Sequence, residues 1–287
     1  MYDAKHNGRN CFRFFTQEIA EQLYQRQRIE NGVKQALQQG HFSLVYMPIF
    51  SCNDNRLVAF EALLRCNSPE LAGLGPDQFI PVAEATGLIK DIDLWVIDNT
   101  LKALVVLQQE HNFTGKACIN ISGVELHNEQ FPAQVTALLD SHGVAPHNVE
   151  LEITETAFVA GDPACLATLN ALHELGVSIA LDDFGTGYTA FNQLIHYPAD
   201  CLKIDRSFVN DLFSEREARN KMVMIIQNLA QLYDLRVIAE GVETQEQLTY
   251  LKDLGCDWAQ GYHLSRPLPW QDFLTLLENP VLMSCES

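Results

Sequence analysis

Basic charge is scarce in this sequence. Lys and Arg total 19 against 37 Asp and Glu, a formal net charge of -18 over 287 residues. Nonspecific nucleic-acid binding needs a basic surface, so duplex nucleic acid is excluded as a partner. Paired cysteines are missing too: the eight cysteines are scattered with no C-x-x-C spacing, which argues against a thiolate zinc site. Cys118, Cys201 and Cys256 lie in or beside apolar runs, where a free thiol behaves as a small hydrophobe. Reduced thiols in a cytoplasmic protein are the expectation. No apolar run approaches the ~18–20 residues that cross a bilayer. The polar start, with Asp3, Lys5 and His6, is no signal peptide. No membrane contact is expected from this chain, although a longer parent protein would be free to carry an anchor.

What is present is a chain able to bury a core, with 47% hydrophobic and 20% charged residues. From Thr16 to about Gly40, Ile19, Leu23, Ile29, Val33 and Leu37 recur at helical spacing. Phe42–Phe50 and Leu57–Arg65 read as strands joined by a connection too short for a crossover helix, so they pair antiparallel. Strands follow at Lys116–Ser122, Val149–Thr154, Val177–Asp182, Cys201–Asp205, Arg236–Glu240 and Cys256–Tyr262. Helices fall between them at Asp91–Gln109, Val124–His142, Pro163–Leu175, Ala218–Tyr233 and Gln245–Leu254. Eight strands in this rhythm predict an α/β fold, a TIM-like (β/α)8 barrel with an antiparallel first strand. A doubly wound open sheet is the alternative, but no Gly-rich phosphate loop follows the first strands.

The sharpest local signal is Asp182-Asp183, where an apolar strand ends in two adjacent carboxylates before Gly185 and Gly187. Such a pair caps turns, or holds a cation that offsets its mutual repulsion. Barrel chemistry gathers at the carboxyl ends of strands. There this chain places Glu61, Asn120, Glu152, Asp182 with Asp183, Lys203, Glu240 and Gln260. The first five donors suit two magnesium or manganese ions rather than zinc. Paired hard cations serve in-line displacement at phosphorus. Lys203 stays protonated among these carboxylates and orients water or stabilises charge, and Glu240 is the better proton acceptor.

These residues lie in stretches that resemble one family throughout. They read Glu61-Ala62-Leu63-Leu64-Arg65, Asn120-Ile121-Ser122, Glu152-Ile153-Thr154-Glu155-Thr156, Asp182-Asp183-Phe184-Gly185-Thr186-Gly187-Tyr188, Lys203-Ile204-Asp205-Arg206, Ala239-Glu240-Gly241-Val242-Glu243 and Gln260-Gly261-Tyr262. The chain is similar, over about residues 35–280, to EAL domains, the cyclic-di-GMP phosphodiesterases. The resemblance implies hydrolysis of cyclic di-GMP to linear pGpG with two magnesium or manganese ions, calcium being inhibitory. It implies Glu61, Asn120, Glu152 and Asp182 on a first metal, and Asp182 with Asp183 on a second. Lys203, Glu240 and Gln260 would hold metal-bound waters, and Arg65 a ligand phosphate. Glu155 would steady the loop after Asp183, which couples the site to a homodimer interface. A non-catalytic cyclic-di-GMP receptor is the alternative, although such relatives usually lose metal ligands or the lysine.

Two positions depart from the family pattern, Met47 where Tyr46-Met47-Pro48 usually carries Gln, and Cys66 in place of Trp. Both bear on nucleotide affinity more than on chemistry. The opening Tyr2-Asp3-Ala4-Lys5 and Gly8-Arg9-Asn10 resemble the end of a GGDEF (diguanylate cyclase) domain. The expected layout is a GGDEF-like tail at 1–15, a linker helix at 16–40 and the phosphodiesterase barrel at 41–280.

Overall fold

The computed structural model describes residues 17–157, 162–186, 197–213 and 217–278. The GGDEF-like stretch at 1–15, and Gly187 and Tyr188, lie outside the described residues. Packing divides the chain into two compact units, residues up to Phe42 with Cys66–Leu88, and Ser43–Arg65 with residues from Ile89 onward.

In the first unit, α1 (Gln17–Gln39) packs with α2 (Pro76–Thr86) and a short 3-10 turn at Pro69–Leu71. Gly32 permits this closeness, because a Cβ there would sit 2.7 Å from Leu71 Cδ2. Arg28 Nη2 donates to the Glu70 carbonyl at 3.0 Å. Helix α2 starts at Pro76, whose missing N–H costs nothing in a first turn, and ends at Gly87 in the left-handed region.

The second unit holds a closed barrel. Its strands are β1 (Phe42–Ser51), β2 (Leu57–Cys66), β3 (Lys116–Asn120), β4 (Val149–Thr154), β5 (Ser178–Phe184), β6 (Cys201–Ile204), β7 (Arg236–Ala239) and β8 (Trp258–Ala259). Strands β2 to β8 run parallel in succession, and β1 closes the ring antiparallel to β8. The expected architecture holds. Parallel strands covered on both faces are buried nearly throughout, and β4 is buried at every position but its last, Glu150 and Glu152 included.

The helices that follow are α3 (Ile89–His111), α4 (Phe131–His142), α5 (Pro163–Leu175), α6 (Arg206–Asn210), α7 (Glu217–Tyr233), α8 (Gln245–Asp253) and α9 (Trp270–Glu278). Two expectations need correction. The helix read from Val124 begins at Phe131, after a short turn at Glu125–His127, with Pro132 in its first turn. The last strand is two residues long rather than seven.

Candidate active site

Alternation along the strands builds the site. Ile49, Ala59, Cys118, Ala180, Cys201 and Ile238 pack into one apolar layer. Side chains two residues apart on a strand share a face. The next layer toward the carboxyl ends therefore carries Glu61, Asn120, Asp182, Lys203 and Glu240. On antiparallel β1 the same step runs backward and delivers Met47, which lines the cavity above. The register agrees: Asn120 lies opposite Glu152, and Thr154 opposite Asp182.

Lys203 is the hub, fully buried. Its Nζ lies 2.7 Å from Glu152 Oε2, 2.7 Å from Glu240 Oε1, 3.3 Å from Asp182 Oδ1 and 3.8 Å from Glu61 Oε2. Asn120 Nδ2 donates to Glu61 Oε1 at 2.6 Å. Gln260 Nε2 donates to Glu61 Oε2 at 2.9 Å and to Glu240 Oε1 at 2.8 Å. Seven of the eight rim residues predicted to carry the site thus form one bonded group, and the eighth, Asp183, follows beside Asp182.

Charge is unbalanced there. One ammonium faces Glu61, Glu152, Asp182, Asp183 and Glu240. Burial works against Lys203's charge, yet Asp182, Glu152, Glu240 and Glu61 hold its pKa well above the usual lysine value. Burial, with Asp182 and Glu61 adding repulsion, pushes the Glu240 carboxyl up to about 8 despite Lys203. Burial and the neighbouring Asp182 and Asp205 carry Asp183 to about 6. Burial likewise raises Glu152. Glu61 is lowered, because Lys203 and the donors Gln260 and Asn120 outweigh its burial.

The donor set fits hard cations. Oxygens of Asp182, Asp183 and Glu240 can lie within 4.8 Å of one another, so Glu240 joins the aspartate pair as a prospective ligand. Glu152 Oε1 and Gln260 Oε1 are buried without hydrogen-bond partners, and both are acceptors of the kind magnesium and manganese take. A divalent ion would supply the positive charge that Lys203 alone does not.

The loop leaving β5 is held from below. Asp183 adopts φ 55° and Gly185 φ 93°. The Gly185 N–H donates to Glu155 Oε2 at 2.8 Å, and Glu155 is buried. A cavity of about 600 Å³ opens over the carboxylates. Arg65 is not among the residues lining it, and its Nη1 donates to the Leu64 carbonyl at 2.8 Å. The lining adds Asp205, Arg206 and Glu243, to which the sequence reading gave no role. Their signal was their place inside the motif stretches that follow β6 and β7.

Comparison with known proteins supplies the family and the fold. The model of the family described as EAL domain matches residues 30–267. The cyclic di-GMP phosphodiesterase NbdA of Pseudomonas aeruginosa is 36% identical over 270 residues, covering 94% of this chain and 34% of that protein. The biofilm architecture maintenance protein MbaA of Vibrio cholerae is 34% identical, again covering 94% of this chain and 34% of the relative. The chain thus spans about a third of the length of these curated relatives. Among solved structures, the EAL enzyme Bd1971 with cAMP and cyclic di-GMP bound superposes with a TM-score of 0.85 at 33% identity. That match covers 91% of this chain and 71% of the other.

Proposed function

This chain belongs to the EAL domain family, and from that premise we propose that it hydrolyses one phosphodiester of cyclic di-GMP to give linear pGpG. The observation that carries the reading is the ring of carboxylates and amides bonded around Lys203 at the barrel's carboxyl rim. Glu61, Asn120, Glu152 and Asp182 would hold a first magnesium or manganese ion, and Asp182 with Asp183 a second. Gln260 would act on the ions through water. Bound ions would supply charge neutralisation for the phosphodiester and ease generation of a nucleophile from water.

The chain's own groups do the rest. Lys203 keeps its proton and anchors Glu152 and Glu240 in fixed orientations. Glu240, 2.7 Å from the Lys203 ammonium and beside the Asp182–Asp183 pair, is placed to accept a proton from the attacking water in its ionised form. Gln260 bridges Glu61 and Glu240, so ligand geometry and base geometry are set by one amide. Calcium, larger and tolerant of irregular coordination, would hold the dinucleotide without productive alignment. Homodimerisation through the loop after Asp183 is part of the same reading.

The test is to incubate the protein with cyclic di-GMP and magnesium and resolve products by chromatography. The expected result is conversion to pGpG that a chelator abolishes. Glu61→Ala should lose more than the 10–100-fold typical of an outer-shell partner while its thermal midpoint persists. Tight binding with no conversion by the parent would replace this reading with that of a receptor.

A further inference from the structure

We propose that Arg206 is a substrate-binding residue that holds the second phosphodiester of cyclic di-GMP, the one not being cleaved. The inference rests on the reading above and extends it to a residue outside the ring. The cavity is lined by six carboxylates, from Glu61, Asp182, Asp183, Asp205, Glu240 and Glu243. Among the described residues that line it, Arg206 is the one cationic side chain. A cyclic dinucleotide carries two phosphodiesters. Ions on the ring would neutralise the one being cleaved. The other enters an acidic cavity and needs a counter-charge of its own, and Arg65 does not line that space.

Two local features seat Arg206 at the wall. It opens α6, whose first turn is fixed by the Asp205 carboxylate accepting from Ser207 N at 3.0 Å. Gly241, directly after Glu240, lies at φ 68° and against the base of Arg206. A Cβ at Gly241 would stand 2.5 Å from Arg206 Cβ and 3.2 Å from its Cα. Glycine thus lets the segment leaving β7 close on the stem, and Arg206, exposed, lines the cavity. A guanidinium fork bonds phosphate oxygens in pairs, which suits a diester with two free oxygens.

The experiment measures cyclic di-GMP binding in calcium, with turnover in magnesium assayed separately. Arg206→Ala should weaken the dinucleotide Kd at least tenfold, and Arg206→Lys should recover part of that loss. As a control for general damage, the ratio of kcat/KM for cyclic di-GMP to that for bis(p-nitrophenyl) phosphate should fall tenfold in Arg206→Ala. The model ester has no second phosphodiester. An unchanged Kd, or losses equal for both substrates, would overturn the assignment. If the parent binds but does not cleave, the phosphodiesterase reading falls and the Kd comparison still decides Arg206. If the parent does not bind at all, both fall.

Discussion

Lys203 shows why this cluster calls for metal. A single buried ammonium satisfies part of a five-carboxylate group, and the strain appears as raised proton affinity at Asp183, about 6, and Glu240, about 8. Unfolded, each would titrate near the ordinary value of about 4. Between these limits the folded chain binds more protons than the unfolded one. Their contribution to metal-free stability is therefore complete below about pH 4 and is lost as pH rises through about 6 and about 8. The metal-free thermal midpoint should fall between pH 5 and 9. Glu240→Gln, neutral throughout, should shrink that fall by several degrees, since each pKa unit corresponds to about 1.4 kcal/mol. Parallel pH profiles for parent and variant would contradict this electrostatic account. At this scale the ligand types were legible from residues at strand ends. The hub was not: sequence order cannot show that Lys203 touches carboxylates on β2, β4, β5 and beyond β7. Nor does an Arg four residues past a glutamate reveal whether it turns toward its own neighbouring carbonyl, as Arg65 does.

Among the elements, the exit of β5 is the most exacting. Asp182 must stay in register with β4 while the chain turns left-handed at Asp183 and Gly185. A Cβ on Gly185 would come within 2.9 Å of Met222 Cε and 3.2 Å of Phe208 Cε2, so the bend is confined as well as strained. Glu155 Oε2 accepts the Gly185 N–H and fixes the bend. Glu155→Ala should cost about 1–3 kcal/mol by leaving that donor unsatisfied, and should raise the magnesium concentration needed for half-maximal turnover. Glu155→Gln, which keeps an acceptor oxygen, should retain most of both. Equal effects of the two variants would refute the hydrogen bond's role. Most strands were legible as short, largely apolar runs broken by single charged residues such as Glu152 and Lys203, and the early pair because its connection is short. The last strand was overread: only Trp258 and Ala259 pair, and Gln260 to Tyr262 turn away to present the amide to Glu61. Helix α2 escaped notice because Pro81 interrupts its pattern, and α6 because five residues show no period.

For the molecule as a whole, the barrel lifts one layer of polar side chains above an apolar floor, within the span that matches the EAL domain family. The net charge of -18 is concentrated in its consequences at this cavity, where six carboxylates meet one lining cation. The central claim is that the ring around Lys203 takes up two divalent ions. Titrating the metal-free protein with Mn2+ at pH 8, by calorimetry or by the loss of the free-ion spin signal, tests it directly. The account predicts saturation at two ions per chain, as two-metal phosphoryl sites require, with at least one ion lost in Asp182→Asn. Saturation absent in the parent, or unchanged by Asp182→Asn, would contradict it.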